Sequence, residues 1–323
     1  MDQGEGEGEG EGEAGWIERY LAQQSTQRQL SPHTIAAYRR DLHELAALLD
    51  EPDWARVAHA DIRRLASKLH ARSLSPRSIA RKLSSWRGFF NYLARHLQLA
   101  ANPVDGVRAP KRARALPKAL SVDDAVHLVG SGAHAHANPE PADLCNHAMF
   151  ELLYSSGLRV SELAGLDVAY ARADADAGRA ASLGWIDLAE REVIVTGKGN
   201  KRRKVPVGSH ALAALAAWLA VRPAPADGSA ALFVSARGAR VSPRVIQLRL
   251  KAHARKVGTA VSVHPHVLRH SFASHVLQSS GDLRAVQDML GHASITSTQV
   301  YTALDFQHLS AVYDKAHPRA KSK

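Results

Sequence analysis

Apolar residues recur every three or four positions through most of this chain, and the breaks in that rhythm separate two groups of helices with a short stretch of alternation in the second. Residues 16–24 predict a first helix. Ser31-Pro32 then supplies an N-cap with proline at the first helical position, followed by Ile35, Tyr38, Leu42, Leu45 and Leu49 at helical spacing. A third helix starts near Asp61 and carries Ile62, Leu65 and Leu69. A fourth opens at Ser75-Pro76 and runs through Ile79, Leu83, Trp86, Phe90 and Leu93. The phrases at residues 30–36 and 74–80 echo each other but the helices behind them diverge, so shared start chemistry explains them better than a repeat. Outward positions on these helices include Arg39, Arg40, Lys68, Arg72, Arg77, Arg81, Lys82 and Arg87, a face suited to a phosphate backbone or simply to solvation.

Residues 102–118 hold Pro103, Pro110 and Pro117 among Lys111, Arg112 and Arg114, with few apolar positions, and read as a basic domain linker. A helix capped at Ser121 follows, then a Gly, Ala, His and Pro loop over 130–141, and then an apolar helix over 145–154 that stops at Ser155-Ser156-Gly157. Another helix starts around residues 158–163, and the Ala/Asp-rich segment 169–184 reads as a surface insertion. Ile186 to Leu188, Glu192 to Val195 and Lys204 to Val207 alternate as short strands, the last two joined through Gly197-Lys198-Gly199-Asn200-Lys201. Helices are expected over 209–221, 242–257, 265–279, 282–290 and 306–313.

A length of 323 residues suits two domains, and no apolar run is long enough to cross a bilayer. The single cysteine, Cys145, permits no internal disulfide and suits a reducing compartment, so a cytoplasmic location is expected. The 42 basic residues against 31 acidic ones give a net charge of +11, yet residues 1–13, an acidic Gly-Glu alternation that reads as a solvated, disordered tail over 1–14, hold six of the acids and no base. The body beyond is therefore +17, with 42 bases against 25 acids. Such an excess points to a polyanion, most simply nucleic acid; an anionic membrane is the weaker rival, because no lysine-rich amphipathic helix stands apart.

Arg159 sits at a helix start beside a glycine turn, where its guanidinium can be aimed; a surface arginine is the bland alternative. Lys198 lies between two glycines at a hairpin tip that does not match a nucleotide-binding P-loop, and a flexible basic hairpin is its alternative. His266, Arg269 and His270 share one side of a helix start by their i, i+3 and i+4 spacing. A metal site from His264, His266, His270 and His275 is disfavoured, since no Asp, Glu or Cys lies among them and Arg269 would oppose a cation. His292 follows a helix that stops at Leu290-Gly291, and Tyr301 lies one turn into a short helix capped by Thr296 or Ser297; alone they read as a structural histidine and a half-buried tyrosine. Together, Arg159, Lys198, His266, Arg269, His292 and Tyr301 are the parts needed for phosphoryl transfer without a metal: arginines for the non-bridging oxygens, a phenol as nucleophile, and lysine or histidine to move protons.

From about residue 15 onward, Gly157-Leu158-Arg159-Val160-Ser161-Glu162-Leu163, Gly197-Lys198-Gly199-Asn200-Lys201, the run His266 to His275, Leu290-Gly291-His292 and Tyr301 resemble the tyrosine recombinase (phage integrase) family in order and spacing. The resemblance implies a mainly α fold with a small antiparallel β-sheet: a SAM-like helical core-binding domain (15–101), the linker (102–118) and an α+β catalytic domain (119–323). It implies that Tyr301 attacks a DNA phosphodiester to form a 3′-phosphotyrosyl bond, that Arg159 and Arg269 clamp the phosphate, that Lys198 protonates the 5′ oxygen, and that His266 and His292 assist proton transfer. No cofactor or metal is then needed, because the bond energy is kept in the covalent intermediate.

The tail, with Leu304-Asp305-Phe306-Gln307-His308-Leu309, Tyr313-Asp314 and Ala316-His317-Pro318-Arg319, is especially similar to the branch that resolves chromosome dimers. That branch implies double-stranded DNA with a dif-like site, a XerD-like recombinase in a heterotetramer, an FtsK-like translocase, and a C-terminal helix docked on a neighbouring subunit. A phage- or integron-type integrase and a catalytically idle DNA-binding protein of the same fold are the alternatives. The acidic tail and the longer segments 130–141 and 169–184 depart from the family pattern.

Overall fold

The computed structural model describes residues 13–28, 30–50, 52–97, 99–111, 119–131, 139–174, 180–197, 202–291 and 303–321. The acidic tail up to residue 12 therefore lies outside the described residues. The chain divides into two compact units, Met1–Ala115 and Leu116–Lys323.

The first unit is helical: α1 (Glu13–Thr26), α2 (Pro32–Leu48), α3 (His59–Ala71) and α4 (Pro76–Leu93). Both Ser-Pro starts work as their chemistry predicts, Ser31 Oγ accepting from the Thr34 N–H (3.2 Å) and Ser75 Oγ from the Ser78 N–H (3.1 Å). Leu42, Leu45, Ile62, Leu65, Leu69, Ile79, Trp86, Phe90 and Leu93 form the core. A 3-10 turn, Trp54–Arg56, adds Trp54, whose ring meets Phe89 edge-on at 5.0 Å; no helical repeat in the sequence announces it.

Two expectations for this unit change. Lys82 does not face outward: it falls on the buried stripe of α4 between Ile79 and Trp86, and is neutralised there by Asp41 (3.1 Å) and Glu44 (2.5 Å) of α2. Arg39 is tied to Glu18, Arg81 to Asp41, and Arg87 donates to the Val104 and Val107 carbonyls, whereas Arg40, Lys68, Arg72 and Arg77 are exposed. The early part of the proline-rich segment is also packed rather than free, since Val104 and Val107 are buried in this core.

The second unit holds α5 (Val122–Gly130), α6 (Pro141–Ser155), α7 (Val160–Ala164), β1 (Leu166–Asp167), β2 (Gly184–Asp187), β3 (Glu192–Thr196), β4 (Arg202–Pro206), α8 (Ser209–Val221), α9 (Pro243–Val257), α10 (Pro265–Ser280), α11 (Leu283–Leu290) and α12 (Ala303–Ala316). The sheet runs β1-β2-β3-β4 and is mixed rather than purely antiparallel, because the two-residue β1, too short for any pattern to predict, pairs parallel with β2. β3 and β4 pair antiparallel from Glu192↔Pro206 to Thr196↔Arg202.

α12 packs into the core of its own unit. Leu309, Tyr313 and Ala316 are buried in the unit's core, and the Tyr313 hydroxyl bonds Ser155 Oγ at 2.7 Å. Beyond the helix, Arg319 closes on the fully buried Glu151, and the Ala320 carbonyl accepts from the Ser209 N–H at 2.9 Å. Arg319→Ala strands the Glu151 carboxylate without its cation. The expected loss is about 3–5 kcal/mol, read as a lowered melting temperature, and an unchanged melt would show that the C-terminal seat is not held by this pair.

Candidate active site

α7 starts from a glycine turn that only glycine permits. Gly157 has φ +55°, and a Cβ there would stand 2.4 Å from the Phe272 ring. Two residues later Arg159 is the N-cap of α7, and Glu162, at the third helical position, folds back onto it. The Glu162 carboxylate accepts from the Arg159 backbone N–H (2.8 Å) and from Arg159 Nη1 (2.7 Å).

Arg269 reaches the same place from α10. That helix begins with Pro265 at its first position, so His266 lies exposed in the first turn and Arg269 one turn further in, 9% exposed. Arg269 donates from Nη1 to the Gly157 carbonyl (2.6 Å) and from Nη2 to the Leu290 carbonyl (2.5 Å). Burial, followed by the charge of Arg159, pushes its pKa down to about 10, which still leaves it a cation at neutral pH.

The end of α11 completes the arrangement. Gly291 takes the left-handed conformation that closes the helix (φ +63°), and three successive carbonyls there are each met by a different arginine: Met289 by Arg203 Nε (2.9 Å), Leu290 by Arg269, and Gly291 by Arg159 Nη2 (3.4 Å). Burial alone would raise the Glu162 carboxyl, but hydrogen bonds from Arg203 and Arg159 hold it below its ordinary value, so it is a carboxylate at neutral pH. Three guanidinium charges against one carboxylate make the described part of the site strongly positive. Each guanidinium has five N–H donors, so Arg159 and Arg269 retain some beyond these bonds for the oxygens of a phosphate.

Of the six residues singled out by sequence, the structure brings Arg159 and Arg269 together and places His266 on the same helix as Arg269. Lys198, His292 and Tyr301 lie outside the described residues. The described residues nearest to them in sequence are Gly197 and Arg202 on either side of Lys198, Gly291 before His292, and Ala303 after Tyr301. His275, one of the four histidines weighed as metal ligands, has both ring nitrogens engaged, by the Tyr154 hydroxyl (2.8 Å) and the Leu120 carbonyl (2.9 Å), and burial lowers its pKa. Glu162 and Arg203 went unassigned in the sequence. Glu162 was readable from its i+3 spacing to Arg159, and Arg203 from the alternation that puts it on the buried face of β4 with Val205.

Residues 132–308 match the phage integrase family, and residues 17–96 match the phage integrase N-terminal SAM-like domain. The chain belongs to the phage integrase family of tyrosine recombinases. Among curated relatives it is 54% identical to tyrosine recombinase XerC 1 of Ralstonia nicotianae over 95% of this chain and 94% of that protein. It is 47% identical to tyrosine recombinase XerC of Alcanivorax borkumensis over 95% of each chain. Two solved structures share the fold of this tyrosine recombinase. One is a lambda integrase dimer bound to a core site, with a TM-score of 0.65 at 15% identity, covering 90% of this chain and 99% of that one. The other is the Tn1549 transposon integrase in complex with transposon right end DNA, with a TM-score of 0.66 at 19% identity, covering 90% of this chain and 97% of that one. No helix among the described residues is long and apolar enough to cross a membrane.

Proposed function

We propose that this tyrosine recombinase is a site-specific, XerC-like enzyme that cuts and rejoins double-stranded DNA through a 3′-phosphotyrosyl intermediate. The observation that carries the reading is the convergence of Arg159 and Arg269, from elements more than a hundred residues apart, on the end of α11 immediately before His292. Nothing in a helical core requires two arginines there, whereas two guanidiniums holding one phosphate supply the charge stabilisation that phosphoryl transfer lives on.

In the reaction, the two arginines bind the non-bridging oxygens of the scissile phosphate and stabilise the charge that builds on them. His266 and His292 hold the phosphate and help move the proton from the Tyr301 phenol, whose oxygen attacks phosphorus while the 5′ oxygen leaves. Lys198 gives the leaving oxygen its proton. The 5′-hydroxyl of the exchanged strand then attacks the phosphotyrosyl bond and releases Tyr301. Phosphodiester is exchanged for phosphodiester, so neither nucleotide nor metal enters the balance.

The exposed bases of the first unit, with Arg40, Lys68, Arg72 and Arg77, bind DNA backbone by releasing its counterions. At 54% and 47% identity to XerC recombinases over nearly the whole chain, the enzyme works on a dif-like site in the cytoplasm. It acts in a heterotetramer with a XerD-like recombinase and under an FtsK-like translocase, to resolve chromosome dimers. A test is recombination of dif-bearing DNA: exchange that needs both this chain and a XerD-like partner supports the reading, and exchange by this chain alone at a phage-type site would overturn it.

The acid role of Lys198 has its own test. Lys198→Ala is expected to cleave an ordinary duplex far more slowly, by about 10²–10⁴-fold as for a lost general acid, and to recover on a bridging 5′-phosphorothioate, whose sulfur leaves without a proton. Loss on both substrates would remove the acid role.

A further inference from the structure

We propose that Arg203 is a positioning residue for strand transfer: through Glu162 it aims Arg159, and through Met289 it fixes the end of α11 from which the chain runs into His292. The proposal rests on the reading above, in which Arg159 and His292 act on the phosphate.

Its warrant is the placement of one side chain. β4 alternates, with Arg202 and Lys204 exposed and Arg203 and Val205 buried, so the Arg203 guanidinium is carried inward. There Nη1 donates to Glu162 Oε1 (2.9 Å) and Nη2 to Oε2 (2.8 Å), a two-pronged bond that fixes the carboxylate plane, while Nε donates to the Met289 carbonyl (2.9 Å). The same carboxylate holds Arg159 at Nη1 and at its backbone N–H, so the direction of Arg159 depends on a group whose own orientation Arg203 sets.

Two neighbours sharpen the point. Arg203 pairs with Val195 across the sheet, one step from the Thr196↔Arg202 pair that ends the β3–β4 ladder. Gly291 approaches so closely that a Cβ there would meet Arg203 Cδ at 3.0 Å. One residue thus bonds both the carboxylate that holds Arg159 and the end of α11, three residues before His292 in sequence. A buried ion pair is a poor stabiliser compared with apolar packing of the same size, so stability alone is a weak reason for Arg203 to be there. Lysine has a single nitrogen and no fork, and cannot make all three bonds in this geometry.

The test is single-turnover cleavage of a nicked duplex that traps the covalent adduct, at saturating DNA, for the wild type, Arg203→Met, Arg203→Lys, Glu162→Gln and the Arg203→Met/Glu162→Gln pair, with duplex affinity and thermal melting measured in parallel. Adduct formation by the wild type establishes the assay; its absence would count against the function reading and not against Arg203. The expected result is cleavage slowed by about 10²-fold in each Arg203 variant, the size of loss that follows a misplacement of about 1 Å, with affinity unchanged and with the pair no slower than its slower member. Arg203→Met cleaving like the wild type, wild-type cleavage restored in Arg203→Lys, or losses that simply multiply in the pair would each overturn the proposal. Should Arg203→Met fail to fold, Arg203→Lys and Glu162→Gln decide: slowed cleavage in folded, DNA-bound protein supports the assignment, and wild-type rates in both refute it.

Discussion

Tyr301→Phe is expected to bind duplex DNA as the wild type does and to form no covalent adduct at all. The substitution removes one oxygen from a side chain, and binding is carried by many phosphate contacts spread over a body of charge +17, so affinity has little reason to change. Chemistry has every reason to. A phenol, with its ordinary pKa near 10, is a nucleophile only when cations and a base help remove its proton. The described site collects Arg159, Arg269 and Arg203 around a single carboxylate at the point where the chain runs on into His292. Denaturing electrophoresis of protein incubated with a nicked duplex reads the adduct, and equilibrium binding reads affinity. A denaturation-resistant complex formed by Tyr301→Phe would move the nucleophile to another residue.

Arg269→Ala is expected to lose on the order of 3 kcal/mol of transition-state stabilisation, about 10²-fold in cleavage rate at saturating DNA, as for the removal of one well-aimed donor to developing negative charge. The structure argues that this donor is well aimed. Arg269 is buried, its Nη1 and Nη2 are anchored by the Gly157 and Leu290 carbonyls, and its remaining donors need no reorganisation when a phosphate arrives. The same anchoring makes a control necessary, because alanine leaves those two carbonyls without their donor, and melting must show that the variant is folded at the assay temperature. Arg269→Lys keeps charge but loses the fork, and is expected to recover only part of the rate. Cleavage by folded Arg269→Ala within a few-fold of the wild type would take Arg269 out of the reaction.

The helices were largely legible because their signals are local. Ser31-Pro32, Ser75-Pro76, Ser121 and Asp282 each cap the helix that follows, and Gly291 ends α11 in the left-handed conformation, all from chemistry within a few residues. What escaped depends on partners distant in sequence. Lys82 reads as a surface charge because the groups that neutralise it, Asp41 and Glu44, lie some forty residues away in sequence. β1 is two residues long and exists only because β2 lies beside it. For the site, the motifs pointed to Arg159 and Arg269, but not to the fact that both lean on carbonyls of α11, nor to Arg203, whose bonds reach back to Glu162 and forward to Met289. A pattern can say that a charge is carried inward; only the fold says which charge receives it.

Mass spectrometry of the trapped adduct reads the covalent bond itself. After digestion of a stalled protein-DNA complex, one modified peptide is expected, with Tyr301 joined through phosphate to the 3′ end of the cut strand and a free 5′-hydroxyl on the other fragment. Attachment to a different residue, or to a 5′ end, would rule out 3′-phosphotyrosyl chemistry at Tyr301.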